Sequence, residues 1–347
     1  MKKVFRTIFC LLGLAVYSSS ALAINLDQEP EIQAYIQEIS DKYDLNKRQL
    51  TKWFEKTEFE NITFAPVTPP QPTAVVKPEP FYMYRDKIVT PKRIQAGTDY
   101  WFANQDALQK EEENYGVPMP VVLGILGIES GYGINIGHYS ALSGLATLAF
   151  KHPTRTAYFR SELTQFFLLC RDHGWDPLSV PSSFDGGLGL PQFMPSSYRE
   201  YAVDPDGDGQ PPDLFTNNHH AIASIGNYLL AKGWQPGQPV AVRARTLNSK
   251  YTKLKDPNGK PQYTLATLRD QYGLTPAVKV AAGPDTKVGV LYLEEHHGKI
   301  ERWITFENFA VVKRYNNNDK YVMTIYQLGQ KIMTRVADAD SQPPLEG

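Results

Sequence analysis

One acid in this chain stands where an acid is costly. Glu129 ends the run Val117 to Ile128 (VPMPVVLGILGI), which carries no polar side-chain atom beyond a thioether, and Ser130-Gly131-Tyr132-Gly133 follows at once. Burial disfavours the charged form of a carboxyl group and raises its pKa. That is the state a general acid needs near neutral pH. The alternative is a helix end at which Glu129 simply emerges into solvent. A second candidate is SFDGGLGLPQFMPSSY, Ser183 to Tyr198. Gly186, Gly187 and Gly189 let a backbone turn sharply and approach a ligand closely; Gln192 offers an amide for hydroxyls and Phe193 a ring for a sugar face. A plain loop between helices is the alternative there. The third is DPDGDGQPPD, in which Asp204, Asp206 and Asp208 fall on positions one, three and five of a calcium loop and Gly209 on six. Position twelve, where such a loop wants glutamate, is Phe215. A calcium site and a plain acidic turn both remain open on this pattern.

These residues need elements to hold them. Pro118 and Pro120 suit a helix start and Gly131 and Gly133 its end, so Glu129 sits on the last turn of an apolar helix buried nearly all round. At about 1.5 Å per residue that helix is too short to span a bilayer, which takes roughly 20 apolar residues. Ile32, Tyr35, Ile36 and Ile39 form one helical stripe and Leu50, Trp53 and Phe54 a second, with a break at Asp44 to Asn46. Six prolines between Ala65 and Pro80 predict an extended strap. Helical pattern resumes from Thr90 to Gly116, in YSALSGLATLAF, from Arg160 to His173, from Ala221 to Lys232 and from Tyr321, where Asn316 to Asn318 are capping candidates. Between Val240 and Ile304 the β-branched runs VAVRA, VGVLYLEE and ERWITF predict four or five strands.

The chain has 347 residues, 42% hydrophobic and 21% charged, with a formal net charge of −1. That balance implies no broad basic surface and hence no nucleic-acid partner. Lys2, Lys3 and Arg6 precede an apolar stretch, and Ala21-Leu22-Ala23 is a small-x-small cleavage site, so the leader reads as a signal peptide cut after Ala23. Cys10 lies inside the apolar region, out of context for lipid modification, and the expectation is a periplasmic product without a lipid anchor or a transmembrane segment. Only Cys170 then remains, a buried helical thiol with no partner for a disulfide. The expected organisation is a signal peptide (1–23), an N-terminal helical region (24–64), a Pro-rich strap (65–89), a helical core (90–237) with the acidic turn at 204–213, a small β-rich subdomain (238–305) and a C-terminal segment (306–347).

Taken together, Glu129-Ser130-Gly131-Tyr132-Gly133, LATLAF with His152-Pro153 and Tyr158-Phe159, GLGLPQFMPSSYREYAVDPDGDG, and late Asn308-Phe309 with Arg314-Tyr315-Asn316 resemble lytic murein transglycosylases of the B type. The resemblance runs from about Glu31 to Met333. It implies a mainly α fold: a lysozyme-like helical core with an extra helical region and a small β-rich subdomain around a peptidoglycan cleft. It implies cleavage of the β-1,4 bond between N-acetylmuramic acid and N-acetylglucosamine without water, with Glu129 on the position of the single catalytic acid/base. Carried over by motif, the sugar-binding positions are Tyr158, Ser183, Gln192, Phe193, Met194, Tyr228, Tyr315, Asn316 and Tyr321, with Tyr84 and Arg155 from weaker local matches. The partner is the peptidoglycan glycan strand; any partner in wall-building machinery stays open. No cofactor is required, and a structural calcium ion is an option.

Three positions depart from the family's pattern. Asp185 stands where a small residue is usual and puts a second carboxylate near the cleft. Thr154 precedes Arg155 where two arginines are common. His220 replaces an aspartate that helps close the calcium site, and a neutral imidazole is a poor calcium ligand. The competing readings are a lysozyme-type hydrolase, whose products carry reducing ends, and a non-catalytic wall-binding module.

Overall fold

The computed structural model describes residues 22–61, 79–254 and 257–341. Residues 1–21 of the expected signal peptide and most of the Pro-rich strap lie outside the described residues. The chain divides into two compact units, Met1–Thr73 with Gly133–Asn217 and Ala74–Tyr132 with Asn218–Gly347.

In the first unit the two amphipathic stripes form the helices Pro30–Tyr43 and Lys47–Glu55. Asp44 takes a left-handed φ of 53° between them, and the Asn46 side chain caps the second by accepting from the Gln49 amide. Both stripes pack on the long helix Thr156–His173, which begins one turn earlier than its hydrophobic pattern shows. Tyr35 and Thr164 share a hydroxyl hydrogen bond of 2.9 Å, and Trp53 stacks on Phe167 with centroids 5.9 Å apart. Gly174 closes that helix with φ 68°, as expected of a glycine C-cap. Cys170 is buried on it as a free thiol. Ala141–Lys151 forms the expected apolar helix. The segment that reads as loop up to Tyr198 already starts a short helix, Pro195–Tyr201, with Pro195 in its first turn.

The second unit holds the central helix, Met119–Glu129, whose residues Val121 to Gly127 are all buried. The Thr90–Gly116 pattern is two helices, Pro91–Ala103 and Gln105–Tyr115. Asn104 separates them because its side-chain amide donates to the Tyr100 carbonyl (2.8 Å), a bond that competes with continued helix. Short helices at Phe81–Asp86 and Glu307–Lys313 have no clear periodicity in the sequence. Asn218–Ala231 and Asp319–Asp340 complete the helical part, and the Asn318 side chain caps the latter as expected.

The β-rich stretch of this unit is a five-stranded antiparallel sheet with spatial order Tyr263–Thr264, Lys287–Glu294, Ile300–Thr305, Ala241–Thr246, Leu274–Pro276. Ile304 pairs with Val290 on one side and Val242 on the other. With Val288, Leu268, Leu274 and Phe306 these residues form a buried cluster. Leu268 comes from a helix, Leu265–Tyr272, that the strand pattern conceals.

Candidate active site

The central helix brings Glu129 to its last turn, half-buried. The chain beyond it reverses sharply: Gly131, Tyr132 and Gly133 all have positive φ, at 58°, 64° and 86°. Left-handed glycines are expected here; a left-handed tyrosine costs about 1–2 kcal/mol and persists only if its surroundings hold it. They do. The Tyr132 hydroxyl lies in a slot that exists because residues 97 and 127 lack side chains, since a Cβ at either would come within 2.4 Å of it. The Tyr132 amide donates to the Leu126 carbonyl (3.2 Å), and its ring lies 5.4 Å from that of Tyr100. The turn after the acid is thus keyed into the groove between Pro91–Ala103 and the central helix. Sequence reading misses this key, although two glycines inside helical patterns were the available signal.

Glu129 meets the C-terminal helix through Tyr321, whose O–H donates to Glu129 Oε1. Two glycines allow that approach. A Cβ on Gly124 would stand 2.4 Å from the Ile325 carbonyl oxygen, and one on Gly329 would stand 1.9 Å from that of Pro120. The two helix backbones touch directly at these places. Tyr321 and Tyr84 are buried and Tyr315 is half-buried. Loss of hydration, and next the charge of Glu129, hold the phenols of Tyr321, Tyr315 and Tyr84 well above the usual tyrosine range. All three therefore remain protonated around the acid. Tyr228 donates to the Arg314 carbonyl (3.1 Å) and sets its ring edge-on to Tyr315, 5.1 Å between centroids. Asn316 lies exposed beside this group. Five of the expected positions, Tyr84, Tyr228, Tyr315, Asn316 and Tyr321, thus fall in the same unit as Glu129. Tyr321→Phe removes the donor and keeps the ring. It is expected to lower kcat about tenfold with KM within twofold, read from initial rates of muropeptide release.

The remaining positions fall in the first unit, in and around the glycine loop. Ser183 is 8% exposed; its Oγ donates to Asp185 Oδ1 (2.8 Å) and accepts from the Gly187 amide (2.9 Å). Ser183 and Gly187 also join through a backbone bond of 2.9 Å, and Leu188 and Phe193 pair with each other. Gln192 adopts a left-handed φ of 52° and spends its amide hydrogens on the carbonyls of Gly189 (2.7 Å) and Ile136 (3.2 Å). The loop is therefore a rigid, internally bonded turn. Phe193 is 2% exposed, about as buried as Tyr321 and Tyr84. Met194, partly exposed, precedes the helix at Pro195. Tyr158 is 39% exposed, with the Arg155 guanidinium 4.4 Å from its ring centroid. Burial, then the charge of Glu162, pushes the Tyr158 phenol up to about 12, against the opposing pull of Arg155.

In the acidic turn Asp204 organises the backbone: Oδ1 accepts from the amides of Asp206 (3.0 Å) and Gly207 (2.9 Å), and Oδ2 from Gly209 (3.1 Å). Asp208 accepts from Gln210 (2.8 Å). Gly207 and Gly209 take the positive φ such a turn requires. The carboxylate oxygens of Asp204 and Asp206 come within 4.8 Å of each other, and Asp208 is not part of that group. In the second half Phe215 occupies the twelfth position, and Asp213 accepts from the amides of Phe215 and Thr216.

The Transglycosylase SLT domain family matches residues 27–330. The chain belongs to that family. Membrane-bound lytic murein transglycosylase B of Escherichia coli K12 is 36% identical over 314 residues, which cover 87% of this chain and 82% of that protein. Among solved structures, the soluble lytic transglycosylase SltB1 of Pseudomonas aeruginosa superposes with a TM-score of 0.78 at 31% identity, covering 89% of this chain and all of that one. The Escherichia coli lytic transglycosylase Slt35 in complex with calcium superposes equally well, at 0.78 and 33% identity, over 91% of this chain and 97% of that one. The fold of this SLT-domain transglycosylase is accordingly lysozyme-like and mainly α, and its activity is that of a lytic murein transglycosylase, a peptidoglycan-cleaving lyase. No helix among the described residues is long and apolar enough to cross a membrane.

Proposed function

We propose that Glu129 is the single acid/base of this transglycosylase and that the scissile bond is the β-1,4 link from N-acetylmuramic acid to N-acetylglucosamine. The observation that carries the reading is the Tyr321 hydroxyl donating to Glu129 at the end of a buried helix, within a shell of protonated tyrosines. A fixed donor on Oε1 sets which way the carboxyl group faces. Protonated Glu129 gives its proton to the glycosidic oxygen as the C1–O bond breaks and oxocarbenium character develops on the muramic ring. The carboxylate so formed takes the proton of the C6 hydroxyl of the same ring as that oxygen bonds to C1. The product is a 1,6-anhydro end, and Glu129 is protonated again. The internal nucleophile has a large effective concentration over bulk water. One carboxyl group therefore suffices where typical glycosidases need two. The deciding experiment is mass spectrometry of muropeptides released from purified peptidoglycan: anhydro products, lighter by one water, support the reading, and reducing ends would replace it with hydrolysis.

Tyr84, Arg155, Tyr158, Ser183, Gln192, Phe193, Met194, Tyr228, Tyr315, Asn316 and Tyr321 serve in this reading as candidate contacts to the glycan strand. The basic, apolar leader with its Ala21-Leu22-Ala23 site supports export, and the periplasm is where a murein substrate is met.

Asp204, Asp206 and Asp208 would hold a calcium ion, and the metal would order the acidic turn without entering the chemistry. The pre-bent backbone around Asp204 supports this, and the missing closing carboxylate argues for the weak end of the calcium range, about 10⁻⁴–10⁻³ M. Millimolar calcium is expected to raise the melting temperature by a few degrees in differential scanning fluorimetry, with magnesium ineffective and the gain lost in Asp204→Asn.

A further inference from the structure

The stretch that builds the small sheet carries an excess of positive charge that the reaction at Glu129 does not use. Between Val240 and Thr305 eleven lysines and arginines stand against six aspartates and glutamates, in a chain whose net charge is −1. Arg302 is held there by two aromatic rings. It pairs in register with Tyr292, and its guanidinium lies 4.3 Å from the Tyr251 ring centroid and 5.4 Å from that of Tyr292. The Tyr292 hydroxyl donates to the Tyr251 carbonyl (3.3 Å), and both rings pack on the buried cluster around Ile304. The tyrosines thus form a clamp that orients the guanidinium. The acceptors Arg302 meets are neutral: the Ile300 carbonyl, 3.4 Å from Nη1, and the Tyr292 phenol. Its Nε is buried without an acceptor, and no described carboxylate lies within ion-pair distance of it. Glu294 shares the face of Tyr292 but is exposed and does not reach Arg302, and Asp270 is taken by Arg269 (2.7 Å). Lys250 and Lys253 lie beside Tyr251 on the 3-10 turn Ser249–Lys253, both exposed. Three residues apart in a helix of three residues per turn, they project from the same side. Withdrawing a charge from water without a counter-charge is costly. A half-buried arginine so held, with two lysines next to its clamp, is complementary to carboxylates brought by a ligand.

We propose that Arg302, Lys250 and Lys253 form a carboxylate-binding surface through which the small sheet holds the acidic stem peptides of murein. Stem peptides carry free carboxylates along and at the end of a short flexible chain, so one stem can meet the guanidinium and a lysine together. Arg302 gives directional N–H donors to a planar carboxylate, and the lysines act as point charges. The surface holds the polymer and takes no part in breaking the glycosidic bond. It requires only that murein is the polymer held, whichever carboxyl group serves as the acid.

The test is co-sedimentation of the full chain, on ice, with three partners: insoluble murein, the same murein with its carboxylates converted to methylamides, and vesicles containing phosphatidylglycerol. The wild type is expected to bind native murein about tenfold more tightly than the amidated form, and the difference should shrink as salt is raised. Arg302→Gln should lose most of that difference, with binding to amidated murein within about twofold of wild type. Lys250→Gln combined with Lys253→Gln, which leaves the clamp intact, should weaken binding to native murein about threefold. On soluble amidated strands every variant should keep kcat/KM within about twofold of wild type, which separates loss of the surface from loss of the fold. Equal binding of the wild type to native and amidated murein would overturn the proposal. So would variants that keep the preference, or that lose binding to both forms alike. Vesicle binding that vanishes in the variants while the murein preference stays would assign the surface to an anionic membrane and overturn it too.

Discussion

Glu129→Gln is expected to abolish release of anhydro-muropeptides, with kcat down by about 10³–10⁴-fold. General acid–base assistance contributes about 10²–10⁴-fold, and here one group serves both the departure of the leaving oxygen and the activation of the C6 hydroxyl. The substitution is nearly isosteric, and the carbonyl of the introduced amide can still accept from Tyr321, so the helix end and its keyed turn should persist. The check is mass spectrometry of products beside a thermal melt: intact folding with no anhydro product is the expected pair. Residual cleavage within tenfold of wild type would move the acid elsewhere, and reducing-end products would make Asp185 the next residue to change.

Gly329→Ala is expected to be the most damaging single methyl group that can be added to this protein's described helices. Its Cβ would fall 1.9 Å from the Pro120 carbonyl oxygen and 2.6 Å from the carbonyl carbon, both backbone atoms that cannot rotate away. The central and C-terminal helices must separate by roughly the thickness of a methyl group, a strain of about 2–4 kcal/mol that leaves gaps along the rest of their contact. Helix propensity points the other way, since alanine in a helix interior is favoured over glycine by about 1 kcal/mol. The packing term is larger, so the melting temperature should fall by several degrees. Because Tyr321 rides on the C-terminal helix and Glu129 on the central one, kcat should fall as well, below that of Tyr321→Phe. A variant of unchanged stability would show that the two backbones are not in contact.

Much of the site was legible because its parts are local. Glu129 at the end of an apolar run, left-handed glycines after it and the glycine cluster before Gln192 are each set by a few consecutive residues, and the order of those motifs carried the family resemblance. The helical stripes of 30–55 and the glycine stop at residue 174 were legible for the same reason, since periodicity and capping act within a turn or two. The burial of Phe193 was not legible in that local way. Its glycine neighbours suggest an accessible ring, whereas the packing of the loop leaves it 2% exposed.

The sequence by itself determined the longer helices, which residue is the candidate acid and the family resemblance, because those depend on residue type and short-range spacing. Tertiary structure alone decided what surrounds them. Tyr321 is 192 residues from Glu129 along the chain and meets it only because Gly124 and Gly329 let two helices touch. Tyr132 holds the turn after the acid only because Gly97 and Gly127 leave it a slot. The Ser183 proton points to Asp185 only because the loop closes through Gly187. Each of these depends on atoms brought together by packing, where a glycine's missing Cβ acts on a partner far away in sequence. Nothing in the local pattern records which partner that will be.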